Sequence, residues 1–188
     1  MADHLELLGA ALAAEAEGQR VLLAGGAAPE PFSRAAAAYR ASWESAPPAS
    51  YGRLAGAIKA AILAGDAEGT ARYVLAQVPA DAASPVASYA SAVAWLVLGD
   101  DARAAAAGAV MAGGGGAFER TAAAIGAVAR HDRPAYEAAL LAIVADFEGR
   151  DAHLTGVAIA DTAVMLERLA EPRGMLAGPV SPVLPPPG

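Results

Sequence analysis

Apolar residues recur along this chain at helical spacing, in stretches closed by glycine, proline or aspartate. Leu5, Leu8, Leu12, Ala16 and the Val21-Leu22-Leu23 group form one stripe. That stripe predicts a first helix from about Asp3, its N-cap, to Leu23, stopped by Gly25-Gly26. A second helix, about Pro31 to Ser45, carries Phe32, Tyr39 and Trp43 at spacings of seven and four, hence on one face. Pro47-Pro48 breaks the chain, and Ser50 is placed to cap a third helix over Tyr51–Ala64. Asp66 is placed to cap a fourth over Ala67–Val78, and Ser84-Pro85 to open a fifth that ends at Leu98. A sixth, about Asp101 to Ala112, meets four consecutive glycines, which read as a flexible linker. The seventh covers about Ala117 to Arg130, and the eighth, capped by Asp132, runs to Gly149. The ninth is expected from Ala152 or Thr155 to Ala170. No period-two alternation stands out, so no strand is expected.

Three junctions share one form: an apolar run, a small or polar residue, an Asp, then a new helix. They are Leu63-Ala64-Gly65-Asp66-Ala67, Leu98-Gly99-Asp100-Asp101-Ala102 and Ala129-Arg130-His131-Asp132-Arg133, roughly 31 to 35 residues apart. A period of that size marks stacked helical hairpins. The expectation is an all-α fold of about nine helices in antiparallel hairpins: three and four, five and six, seven and eight. Helices one and two form a divergent hairpin, and helix nine caps the far end. A closed helical bundle is the rival arrangement. Residues 1–171 read as a single helical domain. Residues 172–188 read as an extended Pro-rich tail whose one docking anchor is Val183-Leu184.

Composition sharpens this. The chain has 188 residues, of which 55 are alanine, with 56% hydrophobic but only 5% aromatic. Alanine is the best helix former, and small side chains let helices approach closely, so each large residue anchors a layer. Trp95, in the most apolar helix, is expected to be buried. There is no Asn, and Lys59 is the sole lysine, which points to a GC-rich bacterial genome. With no cysteine, disulfides, thiolate metal sites and thiol nucleophiles are excluded. The net charge of −7 and the scattered arginines lack the basic face that phosphate contacts need, so no nucleic-acid partner is expected. The longest apolar run, Val86–Leu98, has 13 residues, too short to span a bilayer. An acidic start, Met1-Ala2-Asp3-His4-Leu5-Glu6, argues against a signal peptide, and the expected location is the cytoplasm.

The stretch Ala94-Trp95-Leu96-Val97-Leu98-Gly99-Asp100, followed by Ala105 and Ala106, resembles the tetratricopeptide repeat, with its aromatic, its Leu-Gly and its helix-packing alanine. The likeness covers one hairpin; the family's Tyr and terminal Pro positions are not consistently filled in the others. It implies TPR-like geometry and protein or peptide binding on a concave face. The last third, His131-Asp132-Arg133-Pro134-Ala135-Tyr136-Glu137-Ala138-Ala139-Leu140, then Arg173-Gly174-Met175 and Ser181-Pro182-Val183-Leu184-Pro185, resembles the end of all-helical polymorphic-toxin immunity proteins. That resemblance implies neutralisation of a toxin by direct binding.

The functional expectation is a non-enzymatic protein-binding module, with a toxin as its most specific partner. An enzyme or small-molecule binder with an interhelical pocket is the alternative, and a self-associating structural protein, a homo-oligomer, is a third reading. A binding module should offer a broad groove; a small-molecule site should offer a pocket with converging polar groups. Candidate partner-binding residues are Tyr39, Trp43, Tyr73, Tyr89, Trp95 and Tyr136, the large side chains that either line a groove or fill the core. No catalytic or cofactor-binding residue is assigned. Asp146, Glu148, Asp151, His153 and Asp161 are the densest group of metal-type ligands, but helix ends account for them, and no metal is expected. His131 is read as a charge at a helix C-terminus, and His4 as solvated.

Overall fold

Most of the anticipated junctions sit where their capping residues place them in the computed structural model, which describes residues 3–187. Its helices are α1 (His4–Leu23), α2 (Pro29–Ser45), α3 (Gly52–Ala64), α4 (Glu68–Gln77), α5 (Pro85–Val97), α6 (Asp101–Met111), α7 (Gly116–Ala129), α8 (Arg133–Glu148) and α9 (Asp161–Ala170). Among the described residues there is no strand, and the fold is all-α. No described helix is long and apolar enough to cross a membrane.

Two caps form as expected, at Ser84 and Asp132, and Asp100 supplies a further one. Ser84 Oγ accepts from the Ala87 N–H, Asp100 Oδ1 from that of Arg103 at 3.0 Å, and Asp132 Oδ1 from that of Ala135 at 3.2 Å. Two do not: Ser50 instead donates to the Pro47 carbonyl, and the residue before α4 is Ala67 rather than Asp66. Within the exposed four-glycine run, Gly114 alone is closely packed. A Cβ on Gly114 would stand 2.6 Å from Pro85 Cβ, so only glycine lets the α6–α7 turn close onto the start of α5.

Helices α3, α5 and α7 lie side by side as an inner row; α4 packs mainly against α5 and only slightly against α3, α6 packs against both α5 and α7, and α7 pairs with α8. Helices α1 and α2 pair with each other, and α2 with α3. Ala57, Ala60, Ala61, Ala90, Ala92, Ala94, Ala124 and Ala127 are all buried, as close helix approach requires.

The last helix departs from expectation. It does not cap the far end; α9 packs across α3 and α7 and also against α8, so it closes the row. It also begins at Asp161, later than expected. Residues 149–160 run without regular structure, because the small cluster Thr155-Gly156-Val157-Ala158-Ile159 alternates exposed and buried positions and Gly156 takes φ +73°. Val157 and Ile159 bury, and the Ala160 N–H donates to the Val183 carbonyl at 2.7 Å.

The tail therefore docks through more than Val183 and Leu184. Met175 is buried too, and Pro186 reaches the α1–α2 turn at Gly25. Arg173 ties it to the inner row, donating to the carbonyls of Leu169 and Leu96, both at 2.9 Å, and to Asp101 Oδ1 at 2.6 Å. Arg173→Ala is expected to lower stability by about 2–3 kcal/mol in urea denaturation, since three charge-assisted bonds are lost together.

Candidate functional site

Closing the row brings polar side chains from four distant helices to one point. Lys59, the sole lysine, projects from an otherwise apolar stretch of α3. Its Nζ lies 2.8 Å from Glu15 Oε1 on α1 and 2.5 Å from Asp161 Oδ2 at the start of α9. Tyr39 on α2 donates its hydroxyl to Glu15 Oε2 at 2.5 Å. Gln19, one turn after Glu15, donates to Asp161 Oδ2 at 3.0 Å and accepts from the Thr155 hydroxyl. Gly56 makes room for this: a Cβ there would stand 2.7 Å from the Tyr39 ring. Glu15, Gln19 and Tyr39 are buried.

The electrostatics follow from that burial. Desolvation alone would pull the Lys59 pKa down, but Asp161 and Glu15 outweigh it and hold the ammonium well above its ordinary value. Lys59 is thus a fixed cation rather than a nucleophile. Burial, reinforced by Glu15, raises the Tyr39 phenol. Burial likewise pushes Tyr89 up to about 12.

Beside this cluster lies a cavity of about 290 Å³, lined by α1, α3, α5, α7, α8, α9 and the 149–160 segment. Lys59, Tyr89, Gln19, Thr155 and Asp161 line one part of it. Arg120, Asp146, Arg150 and His153 line another, and Phe118, Ile143 and Phe147 add apolar surface, with Arg150 lying over the Phe147 ring. A second recess of about 340 Å³, lined by Leu8, Leu12, Tyr39, Arg53 and Gly56, shares Ala55, Lys59, Tyr89 and Leu154 with the first. Leu154, 80% exposed, stands where the two meet.

The six candidate aromatics divide rather than converge. Tyr39 is buried on Glu15, and Tyr136 is buried with its hydroxyl on Glu167 Oε1 at 2.7 Å. Tyr89 lines both recesses and donates only weakly, to Met165 Sδ at 3.5 Å. Trp43, Tyr73 and Trp95 are on outer surfaces. Trp43 stacks on Tyr51 at 5.6 Å and Tyr73 lies under Arg40 at 3.9 Å. Trp95 is half-buried beneath Arg103 in the groove between α4 and α6, rather than enclosed as expected. Trp95→Ala is accordingly expected to lower stability by about 2 kcal/mol, near half the roughly 3–5 kcal/mol of an enclosed tryptophan, in a thermal or urea melt.

The acidic group around His153 also disperses. Asp146 pairs with Arg120 and Arg150, Glu148 accepts from Ser181, Asp151 is exposed, and Asp161 belongs to the Lys59 cluster. His153 stacks on Phe147 at 6.2 Å, with its Nδ1 buried and unpartnered. His4 is not solvated; its Nδ1 lies 3.0 Å from an Arg53 nitrogen. His131 is exposed, 3.3 Å from Asp101 Oδ2.

Glu15, Gln19 and Lys59 escape a motif search because they match no motif. Their signal is positional: a charged residue inside an alanine-rich helix, and Glu15 and Gln19 four apart on one face. Comparison of the chain with protein-family models, with curated proteins and with solved structures gives no match.

Proposed function

We propose that this chain binds a small molecule in the cavity beside Lys59. The observation that carries the reading is the convergence of Lys59, Asp161, Gln19, Tyr89 and Thr155, and separately of Arg120, Asp146, Arg150 and His153, on one recess that also holds apolar surface. A few placed polar groups in a mostly apolar cavity are what small ligands use. The inner row's broad face, which a peptide-binding stack would leave open, is occupied by α9 and the tail. The locked ammonium of Lys59 suits recognition of a ligand more than attack upon it.

The test is a fragment screen read by melting temperature and by amide shifts in NMR. Hits should perturb residues of α3, α5 and α7 around Lys59, Tyr89 and Thr121. Ala55→Phe, which fills the place where the two recesses meet, should abolish binding while leaving helicity intact. Hits that bind Ala55→Phe as well as the parent chain would refute the cavity as the site.

A protein-binding reading, with toxin neutralisation as its most specific form, draws on a separate observation. Trp43, Tyr51, Tyr73 and Arg40, the last paired with Glu44, form a partly exposed aromatic and arginine patch over α2, α3 and α4, of the composition that carries interface energy. Its probe is a toxin domain encoded beside the chain's gene. Binding lost in Trp43→Ala and kept in Ala55→Phe would favour it over the cavity.

A further inference from the structure

The cavity carries unbalanced charges of opposite sign at its two ends. At one end Arg120 and Arg150 share a single carboxylate, Asp146: Arg120 bonds to Oδ1, and Arg150 donates to Oδ2 from Nε at 3.1 Å and from Nη2 at 2.5 Å. Two cations against one anion leave one positive charge in excess. Among the described residues, Nη1 of both guanidiniums and Nε of Arg120 donate to nothing, and both side chains are about a third exposed, 33% and 36%. His153 Nδ1, in the same wall, is buried without a partner.

At the other end Lys59 faces two carboxylates, Glu15 and Asp161, leaving one negative charge in excess. Both Lys59 and Gln19 bond to Asp161 Oδ2, so among the described residues Oδ1 accepts nothing. No hydrogen bond or ion pair among the described residues joins the two groups, and Phe118, Ile143 and Phe147 add apolar surface to the same cavity. The negative excess is buried, where solvent compensates it poorly, whereas the arginine end is partly open to water. A simple acid would neutralise only the arginine end, and a simple amine only the other.

We propose that the ligand is a small dipolar molecule: a carboxylate and a primary ammonium joined by an apolar spacer. The carboxylate lies on the free donors of Arg120 and Arg150, within reach of His153 Nδ1 in the tautomer that protonates it. The ammonium lies on Asp161 Oδ1. Lys59 does not repel it decisively, because its charge is exceeded by those of the two carboxylates that clamp it. This assignment rests on the cavity being the ligand site.

The experiment is calorimetry on the full chain with ε-aminocaproate, caproate, hexylamine and hexanol, with γ-aminobutyrate and ω-aminocaprylate as shorter and longer spacers. The best-fitting amino acid should bind about tenfold or more tighter than the acid or amine of its own length, the scale of one added charge-assisted contact. Arg150→Gln, a partly exposed substitution, should weaken the amino acid and caproate by about tenfold and leave hexylamine unchanged. Asp161→Asn disturbs the Lys59 cluster and so the fold. The amine end is therefore read with the N-acetylated amino acid, which keeps the spacer, removes the charge and should lose a similar factor. Hexanol or caproate binding as tightly as every amino acid, with Arg150→Gln silent, would overturn the dipolar assignment and leave the cavity reading in place. Binding of none of these ligands, together with a fragment screen whose hits ignore Ala55→Phe, would overturn both.

Discussion

Lys59→Met is expected to destabilise the fold by about 3–5 kcal/mol, the range for removing one partner of a buried ion cluster. Methionine keeps most of the volume but leaves Glu15, fully buried, and Asp161, nearly so, as like charges at close quarters. Glu15 would retain only the Tyr39 hydroxyl, and Asp161 only the Gln19 amide. Because the loss arises from the orphaned charges, the triple change Lys59→Met, Glu15→Gln, Asp161→Asn should recover much of it. Urea denaturation of the single and triple variants measures both. A loss below about 1 kcal/mol, the ordinary value of an exposed pair, would mean that water already screens the cluster.

Raising the pH should unfold the protein steeply from about pH 10 upward, where tyrosine and lysine ordinarily begin to lose their protons. Tyr39, Tyr89 and Tyr136 all hold their protons beyond the usual phenol value because burial disfavours the phenolate, and Tyr136 is further held by its bond to Glu167. Lys59 is held protonated by its carboxylates despite burial. Above pH 10 the unfolded chain therefore binds fewer protons than the folded one, and stability falls with rising pH. Below that pH both states are protonated at these groups, and their contribution is complete. Each group contributes a slope of about 1.4 kcal/mol per pH unit, so the four together approach about 5 kcal/mol per unit. Tyrosinate absorbance and helical circular dichroism should change together in one cooperative step. Tyr136→Phe should make that step shallower. Phenols titrating ahead of any loss of helix would contradict the buried placement.

Local chemistry was legible in the chain wherever one residue type decides a backbone outcome. Ser84-Pro85, Asp100 and Asp132 start helices because a side-chain oxygen meets an unpaired N–H three residues on. The late start of α9 was written less plainly. Thr155, Val157 and Ile159 are a short β-branched alternation, easily lost beside the helical periodicity on either side. The closure of the row was not legible, because it depends on which face of α9 meets α3, a partner about a hundred residues away. The site suffered the same obscurity. Asp161 and His153 stand out as chemistry-bearing types, but Glu15, Gln19 and Lys59 acquire meaning only once α1, α3 and α9 meet. Trp95 shows the opposite error: an apolar helix suggests burial all round, and the groove between α4 and α6 leaves one edge uncovered.

The bonds that assemble the cluster span long stretches of chain: 102 residues from Lys59 to Asp161, and 142 from Gln19 to Asp161. The helix pairs, by contrast, join sequence neighbours. Folding should accordingly divide in time, with local pairs forming early and the long-range closure late, since loop-closure entropy is spent before distant contacts reward it. During synthesis the first hairpins emerge while α9 and the tail are still to be made. Until those segments arrive, Glu15, Tyr39 and Lys59 have an incomplete partner set and their helices keep an exposed apolar face. A nascent chain stalled before Asp161 should therefore lack the cavity and be the species most prone to aggregate.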